Sequence, residues 1–191
     1  MKRVLIYTVS MVFITAFVSC AAGSKRKSAE YYTENREAIN ELRNMYEKLY
    51  NHQPFSAGFT DKSFAYYVME VTTDTVRYIY NTEKNKEQVY ETISKFHYDT
   101  TLLRLFSHKM KEVKCLWLSK SSFYVKEKWE TVTFFSFKSS KSDRPFVENK
   151  YYILLFPETP FSSERIAKKI AAGSLVKIED MVYFTIGNRY R

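Results

Sequence analysis

Histidine and carboxylate side chains come within two residues of each other at one place in the sequence, His97-Tyr98-Asp99. Such a pair can exchange protons or bind a metal ion, but either use needs a third ligand or a groove that holds a substrate. His108 could supply the third group if two helices fold back on each other. An aspartate before a helix also fits the N-terminal cap, and we expect that structural role here.

Cys115 is the second candidate, because a thiol beside a histidine base can act as a nucleophile. It directly precedes the apolar residues Leu116-Trp117-Leu118, however. Buried cysteines usually behave as small hydrophobic side chains, and we expect Cys115 to do so. The paired carboxylates Glu179-Asp180 fit a hairpin turn at least as well as an active site.

The motifs of several large enzyme classes are absent from the chain. The sequence contains no G-x-S-x-G, H-E-x-x-H or C-x-x-C motif, and its four glycines form no cluster that could hold a phosphate. We therefore expect no catalytic residues, no metal ligands and no cofactor, and we predict that the chain is not an enzyme.

The first twenty residues have the pattern of an export leader. Met1-Lys2-Arg3 is a short basic segment, residues 4–18 are mostly apolar, and small residues surround Cys20. This order is typical of a secretory signal peptide. The apolar run is shorter than the roughly 20 residues that span a bilayer comfortably, although an uncleaved signal anchor is an alternative.

Phe17-Val18-Ser19-Cys20 resembles the lipobox of bacterial lipoproteins, with Phe17 where Leu is usual. The resemblance is limited to the leader and implies cleavage between Ser19 and Cys20. It also implies that Cys20 becomes the new N-terminus and carries acyl chains, palmitate among them. Two or more acyl chains hold a protein firmly on a membrane, whereas one holds it marginally.

Residues 20–28 then form a short flexible tether. An Asp directly after the lipidated Cys often marks retention of a lipoprotein in the inner membrane, so Ala21 implies the outer membrane. Some bacteria mark surface-displayed lipoproteins with an acidic run, and the basic residues Lys25-Arg26-Lys27 have the opposite sign. The resemblance therefore implies a lipid-anchored protein of the cell envelope, on the outer membrane and facing the periplasm.

The exported part is long enough for one folded domain, which we place at residues 29–191. Removing the leader from the 191 residues leaves about 170, which can bury a sizeable core without disulfides or metals. Aromatic residues make up 17% of the chain, so the core can be rich in large rings. Two cysteines are too few for a disulfide framework.

Hydrophobic periodicity and turn residues predict an α+β fold with an N-terminal helix packed on a mostly antiparallel sheet. Helices are expected over 29–50, 83–97, from 99 or 100 to about 113, and 162–173. Strands are expected over 64–71, 76–80, 115–125, 129–137 and 151–156, and the segments 175–178 and 181–186 form a hairpin or one long strand. This order of elements resembles the cystatin-like and NTF2-like folds.

The formal charge of +9 is compatible with nucleic acid, anionic lipid, an acidic partner or a solvated lysine-rich surface. Several lysines lie among aromatic residues, as in proteins that bind single-stranded nucleic acid: Lys120, Lys126, Lys128, Lys138 and Lys141 with Phe123, Tyr124, Trp129 and Phe134. An envelope lipoprotein seldom meets nucleic acid, so we expect no such partner.

We therefore expect a membrane-anchored envelope lipoprotein with a non-catalytic, protein-binding domain, a class that includes inhibitors and immunity-type proteins. A periplasmic module that binds a small ligand or lipid between sheet and helices is the alternative. An unrecognised periplasmic hydrolase is the third candidate.

Overall fold

A computed structural model describes residues 23, 25–61, 63–74, 77–82, 91, 93–140 and 150–188 of the chain. The chain divides into two compact units, Met1–Asn35 and Arg36–Arg191. The second unit contains the sheet and is α+β, as the sequence predicts. The residues of the expected signal peptide and lipobox lie outside the described residues.

The predicted first helix is interrupted at Asn35. Residues 25–34 form helix α1, which includes residues 25–28 of the expected tether, and helix α2 spans Arg36–His52. At Asn35 both the backbone N–H and the side-chain amide donate hydrogen bonds to the carbonyl of Tyr31, at 3.1 and 2.9 Å. Asparagine side chains compete with helical backbone bonding in this way.

The sheet has eight strands in the order β3-β2-β1-β4-β5-β6-β8-β7, and every neighbouring pair is antiparallel. The strands are β1 (Phe55–Phe59), β2 (Tyr67–Thr72), β3 (Arg77–Asn81), β4 (Trp117–Val125), β5 (Lys128–Ser140), β6 (Lys150–Pro157), β7 (Leu175–Glu179) and β8 (Val182–Gly187). The predicted strand 151–156 corresponds to β6, which is apolar on both faces and lies between β5 and β8 inside the sheet, and β7 and β8 form a hairpin rather than one strand.

Three further helices connect these strands. Residues 91 and 93–95 are helical and belong to α3. Residues 96–97 of the predicted helix form a turn instead, and residues 83–90 and 92 lie outside the described part. Helix α4 spans Thr100–Glu112 and begins at its N-cap Asp99, whose carboxylate accepts the N–H of Leu102 at 2.9 Å. Helix α5 spans Glu164–Ala171, and Gly173 follows it with a positive φ of 68°, as expected for a helix C-terminus.

Helices cover both faces of the sheet. On one face α2 and α4 pack together over the aromatic rings Tyr46, Phe55 and Phe106, whose centroids lie 5.1 to 6.0 Å apart. The Tyr46 hydroxyl donates a 2.7 Å hydrogen bond to the carbonyl of Phe55. On the other face Phe161 and Ile166 pack against a buried cluster of Val132, Ile153, Leu155, Leu175 and Tyr183.

Strand β1 was not predicted, because Gly58 lies in the middle of it and the segment follows Pro54. Alternation at Phe55, Ala57 and Phe59 is the signal that could have identified it, since all three side chains are buried on the face that α2 and α4 cover. Glycine is required at position 58 because the structure leaves no space there for a side chain. A Cβ at this position would overlap both the carbonyl oxygen of Leu116 and the indole ring of Trp117.

Gly58→Ala should therefore lower the free energy of unfolding by about 1–3 kcal/mol, the usual cost of overpacking a core. Ser56→Ala, two residues earlier in the same strand, is the matched control and should change stability by less than about 0.5 kcal/mol. Chemical denaturation measures both. Equal stabilities of the two variants would show that the β1–β4 contact is not tightly packed.

Candidate functional site

The β4–β5 hairpin is the most distinctive feature of the sheet. Its turn consists of Lys126 and Glu127, which both have positive φ angles of 47° and 64°. Two consecutive residues of this kind form a type I′ turn, which suits the right-handed twist of a two-residue hairpin. The turn fixes the register Val125↔Lys128, and the ladder continues from there to Trp117↔Ser136.

Strand β4 has an open edge beyond Leu118. Its only register pairs with β1 are Ala57↔Leu118 and Gly58↔Trp117 among the residues that the structure describes. β1 and β4 separate there, because the first residues of β1 stay with β2, where Phe55 pairs with Val71. The segment from Ser119 to Val125 therefore pairs with β5 alone within the described chain.

The register decides which backbone groups point to the open side. Hydrogen-bonding direction alternates along a strand, and Phe59 N–H donates to the carbonyl of Leu116 at 2.8 Å. Even-numbered residues within β4 therefore direct N–H and C=O away from β5, whereas the N–H of Leu116, just before the strand, donates to Ser136 of β5 at 2.7 Å. At the open edge these are Lys120, Ser122 and Tyr124, whereas the groups of Ser121 and Phe123 belong to the β5 ladder.

A groove of about 540 Å³ runs along the gap between β1 and β4. Ser119, Lys120 and Ser121 of β4 form one side of it. Ser56 and Glu70 contribute polar groups from β1 and β2, and Tyr50 of α2 also lines it. The groove thus presents an unpaired strand edge together with a mixed polar and aromatic lining.

Lys120 fixes the position of the open edge. Its ammonium lies 2.7 Å from the Glu47 carboxylate of α2 and 2.5 Å from that of Glu158, which follows β6. Burial lowers the pKa of Lys120, but the hydrogen bonds to Glu158 and Glu47 outweigh burial and raise it overall. The side chain therefore stays charged and holds β4 against α2.

Three large aromatic side chains are exposed near the tip of the same hairpin. Trp129 is 67% exposed, Tyr124 63% and Phe123 47%. Trp129 and Tyr124 are cross-strand neighbours with ring centroids 5.3 Å apart. Phe123 lies on the opposite face, where it packs edge-on to Phe134 at 6.3 Å.

A second groove, of about 500 Å³, separates the tip from α5. Its lining is mostly apolar, and Arg165 and Lys169 also line it. The buried carboxylate of Glu130 anchors the start of α5, because it accepts the Ser162 N–H at 2.8 Å and the Ser162 hydroxyl at 2.5 Å. Glu130 is thereby engaged in positioning this helix.

The structure places Asp99 and Cys115 in structural positions, and it places His97 and His108 at the surface. Asp99 caps α4, while His97 lies before it, exposed and with a positive φ of 55°. His108 is exposed on α4, and Cys115 is completely buried. Desolvation raises the pKa of the Cys115 thiol well above its ordinary value.

The predicted carboxylate pair lies at the β7–β8 turn, as the hairpin interpretation expected. Glu179 forms an ion pair with Arg36 at 3.0 Å, and Asp180 pairs with Lys177 at 2.6 Å. Lys141 lies outside the described residues, as do Ser19 and Cys20, so the lipid-attachment and cleavage sites stay predictions.

The open edge was missed at the level of sequence. Ser119-Lys120-Ser121-Ser122 is polar on both faces of a strand, which is unusual for a strand inside a sheet. That polar run was the available signal.

Among the described residues no group of three His, Cys, Asp or Glu side chains could hold a metal ion. None of the helices that the structure describes has the length and apolar character needed to cross a membrane.

No known protein family, no curated protein and no solved structure matches this chain. The likeness to cystatin-like and NTF2-like folds therefore stays a prediction.

Burial of Cys115 predicts slow modification of its thiol. In the native protein a maleimide should react at least about a hundredfold more slowly than with an exposed thiol, because reaction needs both access and a thiolate. The matched control is Ser121→Cys, at an exposed position of β4, which should label rapidly. Denaturant should make Cys115 fully reactive. Rapid labelling of native Cys115 would restore it as a candidate nucleophile.

Proposed function

We propose that this chain is a lipid-anchored protein of the bacterial envelope whose domain binds another protein along the open edge of β4. The lipid is attached to Cys20, and the domain faces the periplasm from the outer membrane. The bound partner contributes an extended segment that pairs with β4 as an added strand. An inhibitor or immunity-type protein is one form that such a binder takes.

The unpaired edge of β4 is the observation on which this proposal rests. Exposed strand edges are templates for a strand from another chain, and a partner's backbone can satisfy their N–H and C=O groups. Lys120, Ser122 and Tyr124 present these groups at alternate positions along the edge. The neighbouring groove has room for the partner's side chains.

The edge is also held in place before binding. Glu47 and Glu158 fix Lys120 from two different elements, and the β5 ladder holds the other side of β4. A surface that is already ordered loses less conformational entropy when it binds. This supports recognition of a partner by the edge as it stands.

The placement of the candidate nucleophile supports binding rather than turnover. The Cys115 thiol is buried, and its raised pKa keeps it protonated at neutral pH. A protonated, inaccessible thiol is a poor nucleophile. Asp99 is engaged with the backbone of α4, so it supports the helix rather than an acid–base reaction.

A cavity between the sheet and α4 favours the alternative of a small-ligand module. It is lined by Phe59, Tyr67 and Leu103, with Arg104 and Lys111 also beside it. Its volume of about 260 Å³ falls below the roughly 300–1,000 Å³ of typical ligand pockets. The strand edge is therefore the better-supported site.

Ser122→Pro tests the edge directly. Proline removes the N–H that points to the open side, and strand edges tolerate it, so the fold should persist. Affinity for the partner should fall by about fivefold or more, since one hydrogen bond contributes about 1 kcal/mol. A photo-crosslinking residue at position 121 links the protein to its partner in cells, which identifies the partner. The amount of cross-linked adduct measures binding.

Ser122→Ala is the matched control. It removes the hydroxyl that lies 2.9 Å from that of Thr131 but keeps the backbone N–H, so the adduct should persist. A crosslinking residue at the exposed Leu105 of α4 should give no such adduct. If Ser122→Pro folds and forms as much adduct as Ser122→Ala, the proposal that the partner pairs with β4 is wrong.

Cys20→Ser tests the anchor. The variant should remain an unprocessed precursor without label, whereas the wild-type protein should incorporate radioactive palmitate. Cys115→Ser is the control and should be labelled like the wild type. Equal labelling of the wild type and Cys20→Ser would show that Cys20 is not the lipidated residue.

A further inference from the structure

We infer that the aromatic tip of the β4–β5 hairpin, formed by Tyr124, Trp129 and the turn between them, docks on the surface of the lipid bilayer that holds the acyl chains of Cys20. This inference rests on the anchor in the proposed function, but it concerns the side chains at the end of the hairpin, which adjoin the open edge of β4 at Tyr124.

The tip projects beyond the rest of the sheet. The last register pair between β5 and β6 is Val132↔Pro157, and Glu158 N–H reaches the carbonyl of Thr131. Residues 128–130 lie beyond this last pair of the sheet, over about 10 Å at the usual rise of a strand, and the chain that leads to α5 covers only Glu130 among them. The most exposed aromatic pair of the described chain, Tyr124 and Trp129, lies on this extension.

The composition of the tip matches a membrane interface. Tyr and Trp concentrate at the level of lipid headgroups, where the rings meet apolar material and their polar atoms meet water. Lys126 and Lys128 lie between the two rings in the chain, on either side of Glu127, and both are exposed, as is suitable for contact with headgroup phosphates. The adjacent groove combines an apolar lining with Arg165 and Lys169, which suits an anionic amphiphile.

The sheet-bearing unit begins at the same margin from which the tip projects. Arg36, its first residue, pairs with Glu179 at 3.0 Å. Glu179 is opposite Val182, and that end of β7 and β8 adjoins Leu155 of β6, near the last β5–β6 pairs. The first residue of the unit therefore lies at the same end of the sheet as the tip, beside β7, which is the third strand from β5.

The length of that chain favours a lipid surface over a distant partner. Fifteen residues separate Cys20 from Arg36, and residues 25–34 are helical. Their combined reach is at most roughly 35 Å. A projecting aromatic tip on a domain tethered this closely meets the bilayer more often than any other surface.

Tryptophan fluorescence tests the contact, because the chain has two tryptophans and Trp117 is buried. The full-length lipidated protein is reconstituted in vesicles of phosphatidylcholine and phosphatidylglycerol. Bromine atoms on the lipid chains quench a tryptophan only at short range. Most of the Trp129 emission should be lost, and bromines near the headgroups should quench more than bromines near the bilayer centre.

Two variants identify the source of the signal. Trp129→Phe retains Trp117 alone, and its emission should be insensitive to bromine. Leu105→Ser, which removes an exposed apolar side chain outside the hairpin, should be quenched as strongly as the wild type. Flotation of the vesicles in a density gradient is measured in parallel and reports the anchor separately from the tip.

The outcomes are distinct. Flotation with quenching of Trp129 supports docking of the tip. Flotation without quenching, with Trp129 still open to aqueous acrylamide, overturns the inference while the anchor stands, and it assigns the tip to a protein partner instead. Failure of the wild-type protein to float overturns the anchor and the inference together.

Discussion

The pairing of β1 with β4 is the contact on which the rest of the structure depends. It joins strands β1 to β3 to the other five through two register pairs and the Phe59–Leu116 hydrogen bond. The pairing is short because Pro54 and Gln53 are tied to β2 through Thr72, which draws the start of β1 away from β4. It is close because Gly58 lets the Trp117 ring lie directly on the backbone. A longer pairing would have used the outward groups of Lys120 and closed the edge.

The charged side chain of Lys120 lies where the pairing of β1 with β4 ends. Many proteins protect strand edges with lysine side chains that point into solvent. In this sheet the ammonium of Lys120 instead turns towards the face that α2 covers. There Glu47 and Glu158 bind it and raise its pKa despite burial. The same ion pairs hold β4 against α2, so the edge is rigid. The Lys120 side chain, held on the face of the sheet, leaves the edge uncovered. This combination is what the proposed recognition of a partner by the edge of β4 requires.

Sequence patterns predicted most of the elements and little of the site. Helical periodicity before residue 50, the Asp99 cap and the apolar run 151–156 are local signals, and the structure has α2, the cap of α4 and strand β6 at these places. β1 was missed because Gly58 weakens a strand pattern, although tertiary contact with Trp117 is the reason for that glycine. The open edge could not be predicted, since it depends on which strands pair and where they part. The proposed anchor is the reverse case, because only the sequence bears on it and its residues lie outside those that the structure describes.

The two proposals constrain each other through the geometry of one hairpin. A segment that pairs with β4 must run alongside it, so one end of that segment lies next to Tyr124 at the tip. If the tip rests on the bilayer, the partner's extended segment has to approach the membrane surface as well. A partner that is itself anchored there meets the edge at a high effective concentration. A protein that diffuses freely through the periplasm gains no such advantage. The arrangement therefore favours a membrane-bound partner, or one that acts while crossing the membrane, over a soluble periplasmic protein.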